Sequence, residues 1–143
     1  GRISLAAGAV GLMQRALDLS LAYAGERKQF GKPIAQFQLV QEHLAAMKLD
    51  LEAARLLTYR AAWKKVKGEP YTLEASLAKL FASEAANRVA YRAIQVHGGY
   101  GFFEEYEVAR LYRDARILTL YEGTSEVQKL IIGAHLTGVR AFA

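Results

Sequence analysis

The chain has 143 residues, enough for one ordinary domain, and 52% of them are hydrophobic. It contains no cysteine, which excludes a disulfide framework and a thiolate metal site and fits a reducing compartment. Nineteen basic residues against fourteen acidic give a net charge of +5, an excess that can attract phosphate-bearing ligands, but no block of like charge points to nucleic acid.

Only two prolines interrupt a chain rich in Ala, Leu, Glu, Lys and Arg, which predicts a helical protein. The sequence opens on Gly1-Arg2-Ile3-Ser4-Leu5, already helical in character. We therefore expect a piece of a longer protein whose targeting segment is not visible. No apolar run is long enough for a bilayer, so membrane insertion is not expected.

A first helix is predicted over about Ile3 to Ala24, apolar nearly all round and hence buried. Gly8 and Gly11 inside it predict close approach of a neighbouring helix, each at a cost of about 1 kcal/mol relative to alanine. Gly25 to Gln36, with two glycines and Pro33, reads as a loop. A second helix follows from Gln36 or Phe37 to about Lys67, its period marked by Val40, Leu44, Met47, Leu51, Ala54, Thr58 and Ala61. Gly68-Glu69-Pro70 ends it.

The third helix begins with Thr72 as its cap. Leu73, Leu77, Leu80, Phe81, Ala85, Val89 and Val96 mark its expected buried face. It stops at His97-Gly98-Gly99-Tyr100-Gly101, where backbone can approach a ligand closely. A short helix over about Glu105 to Ala115, an apolar connector Ile117–Leu120 and a turn Tyr121–Thr124 come next. Ser125 and Gln128 have the spacing of a capping box for a last helix ending near Thr137, with Gly138 as its stop. Short connections imply antiparallel neighbours. The fold class is therefore all-α, an up-down antiparallel bundle of four-helix type.

Three segments combine residues suited to chemistry. Glu122 lies between an apolar connector and a helix start. It reads either as a half-desolvated carboxylate usable as a base, or as a surface acid favoured by the positive end of the last helix. Arg27-Lys28-Gln29-Phe30-Gly31-Lys32 offers cations, an amide and a ring, suited to a phosphate with a flat heterocycle or to packing on its own core. Gln95 with Gly98 and Gly99 presents an amide and bare backbone, or simply a helix end. His43, His97 and His135 lack metal-ligand spacing and read as structural or surface residues; no metal site is expected.

Taken together, in this order and spacing, Arg27-Lys28-Gln29-Phe30-Gly31, Phe37-Gln38, Gln95-Val96-His97-Gly98-Gly99-Tyr100-Gly101, Tyr112-Arg113-Asp114-Ala115 and Tyr121-Glu122-Gly123-Thr124-Ser125-Glu126 resemble the C-terminal helical domain of the acyl-CoA dehydrogenase family. The resemblance covers the whole chain. It implies that Glu122 removes the α-proton of an acyl thioester while a hydride leaves the β-carbon for FAD, giving a trans-2-enoyl-CoA. It also implies that the Glu122 N–H helps polarise the thioester carbonyl, with Gly123 beside it and Arg2 near the base. Arg27, Gln29, Phe30, Gln38, Gln95, Gly98 and Gly99 match contacts to FAD, the loop residues to that of a neighbouring subunit. Thr124 and Glu126 match contacts to the FAD of their own subunit. Some branched-chain members carry the base at the position equivalent to Gly1; glycine here supports Glu122 as the sole base.

Further implications are an acyl-CoA substrate, an electron-transferring flavoprotein as acceptor and a homo-oligomer, tetramer or dimer, through the helical bundle. The compartment implied is bacterial cytoplasm or the mitochondrial matrix. An N-terminal helical domain and a middle β domain are expected to be missing from this stretch, which alone should be inactive. Where the family carries a basic residue near Pro70 for CoA, this chain has Glu69-Pro70-Tyr71. An acyl-CoA oxidase and a non-catalytic helical module are the alternatives.

Overall fold

The computed structural model describes residues 1–141. Helix α1 spans Arg2–Glu26, a two-residue hairpin follows (β1 Lys28–Gln29, β2 Lys32–Pro33), and a 3-10 turn Ile34–Gln36 leads into α2, Gln38–Val66. Helix α3 spans Thr72–His97, a second 3-10 turn covers Gly98–Phe102, and α4 (Glu107–Ile117) and α5 (Ser125–Thr137) complete the domain.

Arg2 meets Ser76 at one end of the bundle and Tyr23 meets His97 at the other, so α1 and α3 run the same way. The short turn after Val66 sends α3 back along α2, giving the expected up-down path. Helix α3 is central: α1, α2, α4 and α5 all pack on it.

That central position explains a departure from the sequence reading. Leu73, Leu77, Leu80 and Phe81 are only partly buried. Ala85, Val89 and Val96 are buried as expected, and the rest of the buried surface of α3 is lined by Ala75, Ala78, Ala82, Ala86, Ala90 and Ala93. A helix contacted on several sides needs small side chains at each seam, and its larger ones are pushed to the edges. Bulk comes from the neighbours: Met13 on α1 and Met47 and Leu51 on α2 are fully buried. Each contributes about 1.5–3 kcal/mol by leaving water.

Helix α1 is not buried all round. Leu5, Ala6, Ala9, Met13, Ala16 and Leu17 face the core, while Gly8, Gly11 and Leu21 are exposed. A Cβ built on Gly8 or Gly11 meets nothing within 4 Å, so these glycines serve no helix–helix contact within the described residues. The stretch read as loop contains the hairpin, with Lys28 opposite Pro33 and Gln29 opposite Lys32. Ion pairs lace the outside: Arg88–Asp50 at 2.7 Å, Arg92–Glu42 at 3.2 Å and Lys64–Glu74 at 2.6 Å join α2 to α3. Among the described residues no helix is long and apolar enough to cross a membrane.

Candidate active site and cofactor surface

The turn between α4 and α5 carries two successive left-handed residues, Glu122 at φ 58° and Gly123 at φ 87°. A non-glycine residue there is uncommon and is maintained only when its surroundings fix it. Three groups do so. Lys79 Nζ donates to the Gly123 carbonyl at 2.7 Å. Gln128 Nε2 reaches the carbonyls of both Glu122 and Gly123 at 3.2 Å. The Ser125 N–H donates to Thr119 O at 3.1 Å, closing the loop on its own start.

The helix cap lies one residue earlier than the spacing suggested. Thr124 is the N-cap of α5, its hydroxyl accepting from the Val127 N–H at 3.3 Å. Ser125 is inside the helix and donates to Glu84 at 2.5 Å. Gln128 turns into the loop rather than capping. Thr72 likewise is no cap: it is the first residue of α3, and Tyr71 before it makes no side-chain cap bond.

The Glu122 side chain points across the turn to the start of α1. A Cβ built on Gly1 falls on the Glu122 carboxyl group. The carboxylate therefore occupies the volume that any side chain at position 1 would need. Arg2, the next residue, is fixed by a 2.6 Å bond from Nη1 to Ser76 Oγ. Of the two readings the sequence leaves open, the exposed one holds within this stretch: Glu122 is exposed, and nothing among the described residues roofs the turn. Glu126 is exposed as well; its own backbone N–H and the Thr124 hydroxyl hold its carboxyl below the ordinary value.

A second cluster sits at the far end of α3. Phe30 (φ 53°) and Gly31 (φ 78°) form the left-handed pair at the tip of the hairpin. This places Arg27 and Gln29 beside Gln95, Gly98 and Gly99 around a cavity of about 660 Å³ that Tyr23, His97 and Tyr100 also line. Arg27 lies 5.4 Å over the Tyr100 ring, and His97 stacks on Tyr23 at 4.3 Å. Burial pushes the His97 imidazole below its ordinary value, opposed by its 2.8 Å bond to Ala93 O. Cation, aromatic faces and a glycine with open space around it fit a diphosphate next to a flat heterocycle.

Two expected members stand outside that cavity. Phe30 is 92% exposed, its ring edge on Phe37. Gln38 is exposed at the start of α2. Sequence reading missed Tyr23, His97 and Tyr100 as cavity walls, and Lys79 and Gln128 as supports of the turn. Sixteen residues of α3 separate Lys79 from Gln95, about 24 Å of helix, so turn and cavity lie far apart.

The model for the C-terminal domain of acyl-CoA dehydrogenases matches residues 1–137. The chain belongs to the acyl-CoA dehydrogenase family. Probable acyl-CoA dehydrogenase YngJ of Bacillus subtilis is 54% identical over 136 residues, covering 95% of this chain and 36% of that protein. Butyryl-CoA dehydrogenase from Megasphaera elsdenii superposes with a TM-score of 0.94 at 50% identity, covering 95% of this chain and 36% of that one. The prolyl acyl carrier protein oxidase AnaB follows at 0.92 and 43%, with 95% and 36% covered. The chain thus spans about a third of the length of these acyl-CoA dehydrogenase relatives.

Proposed function

We propose that this chain is the C-terminal domain of an FAD-dependent acyl-CoA dehydrogenase and that Glu122 is its base. The carrying observation is the Glu122 carboxyl group held on a left-handed turn in the volume vacated by Gly1. Two backbone irregularities are thereby matched to one purpose. The turn aims the carboxylate outward from the bundle, and the missing side chain leaves it room.

In this reading the carboxylate takes the α-proton of an acyl-CoA, and the Glu122 N–H donates to the thioester carbonyl as charge grows on its oxygen. Gly123 stands beside that carbonyl, and its φ of 87° lets the backbone turn there without strain. Arg2, tied to Ser76, adds a fixed positive charge near the base. A bound FAD would supply the acceptor for the hydride that leaves the β-carbon. Thr124 and Glu126 would hold it beside the turn; Arg27, Gln29, Gln95, Gly98 and Gly99, with Phe30 and Gln38 at the margin, would hold its diphosphate and adenine half.

Turn and cavity lie at opposite ends of α3, which supports the two clusters serving different flavins. A homo-oligomer, tetramer or dimer, then completes each site. The N-terminal helical and middle β domains belong to the rest of the protein and roof Glu122. The electron acceptor is an electron-transferring flavoprotein, and the compartment is bacterial cytoplasm or mitochondrial matrix.

Glu122→Gln in the full-length protein tests the assignment. FAD should stay bound, and flavin bleaching by acyl-CoA should slow by about 10³-fold, the typical worth of a positioned base. Bleaching at near the original rate sinks the assignment. The likeness to AnaB favours a second reading, an oxidase. Release of hydrogen peroxide during turnover separates the two.

A further inference from the structure

Lys79 has the largest of the fully buried side chains. A buried ammonium is expensive to desolvate and persists where it is held by specific partners. Among the described residues the partner is a single backbone oxygen, Gly123 O at 2.7 Å. Gln128, also buried, points its Nε2 at the two carbonyls of Glu122 and Gly123, and its Oε1 has no partner among the described residues. The reverse amide orientation would set an oxygen against both carbonyls. The side chain accepts an orphaned acceptor to keep its grip on the turn.

We infer that Lys79 and Gln128 are positioning residues: they clamp the Glu122 and Gly123 carbonyls and so hold the Glu122 carboxylate and N–H in reacting geometry. With both carbonyls held by buried side chains, the backbone of the turn is fixed on its inner side while Glu122 itself stays exposed. Lys79 also sets a positive charge beneath a cluster of carboxylates: Glu84 on its own helix, Glu122 on the turn and Glu126 on α5. Burial lowers the Lys79 pKa, and those three acids oppose the fall. The inference rests on Glu122 being the base, and it adds what makes that base effective.

The test uses full-length, FAD-loaded protein with Lys79→Met, which keeps length and removes charge and donor. Single-turnover flavin bleaching by saturating acyl-CoA separates two effects. A clamp sets the rate constant of bleaching, whereas a purely structural role sets only the fraction of protein that bleaches. The expected result is a rate constant lowered about 10- to 100-fold, the size of one charge-assisted hydrogen bond, with the half-saturating acyl-CoA concentration within about 3-fold of the original.

An unchanged rate constant with reduced amplitude overturns the inference. Should Lys79→Met lose its flavin, Gln128→Met decides: a slower rate constant at full flavin content supports the clamp, and an unchanged one removes it. Glu122→Gln is run alongside. If it bleaches normally, the base assignment has failed. If it is dead while both clamp variants keep the original rate constant, only the clamp has failed.

Discussion

Gly123→Ala puts the turn under a load that can be worked out from the structure. At φ 87° an L side chain is strained, by about 1–2 kcal/mol. The new Cβ would also lie 2.6 Å from Gln128 Nε2. Gln128 can retreat only by giving up its bonds to the Glu122 and Gly123 carbonyls, each worth about 0.5–1.5 kcal/mol. The expected loss is about 2–5 kcal/mol if the turn stays folded. With an m-value of about 2 kcal/mol/M in urea, the unfolding midpoint falls by about 1–2.5 M. Far-UV circular dichroism of the 143-residue chain in urea measures it. A shift under about 0.3 M at equal m would mean that the turn yields freely, and the clamp on it would lose its basis.

Gly8→Ala and Gly11→Ala should each raise stability by up to about 1 kcal/mol, since both sites are open and helical; a loss in the 143-residue chain refutes the open face. His97 should make stability depend on pH. Its folded value is depressed below 6.5, so the unfolded chain takes up the proton first as pH falls. Its contribution is fully present above about pH 6.5 and lost below it. Urea midpoints at pH 7.5 and 5.5 should therefore differ more for the original chain than for His97→Phe, and equal differences refute the linkage.

Much of the fold is legible in the sequence because long helices repeat their period many times. Met47, Leu51, Ala54, Thr58 and Ala61 are the buried positions of α2 that the spacing marks. Features with one occurrence are less legible. A hairpin of two residues a side has no period to show. A cap can slip by one residue when Thr124 and Ser125 stand together. The spacing marks Ala85, Val89 and Val96 of the buried face of α3 but also Leu73, Leu77, Leu80 and Phe81, which a helix packed on several sides pushes to its edges.

The candidate site divides in the same way. Glu122, Arg27, Gln29, Gln95, Gly98 and Gly99 announce themselves by residue type beside turns. Lys79 does not, because a lysine reads as a solvent-facing residue. Its position among Ala75, Ala78, Ala82 and Ala86 is the available signal: it shares a stripe with buried alanines.

The contact between Gly1 and Glu122 also constrains how such a site can change over generations. Two segments far apart in sequence share one pocket of space large enough for a single carboxylate arm. Each position is tolerant only while the other is bare. A lineage that moves the acid from one segment to the other must first vacate Glu122, passing through a form with no acid in that space, or endure two arms colliding in it. On the proposal that Glu122 is the base, either intermediate loses activity, so the acid cannot change segment by a single harmless step.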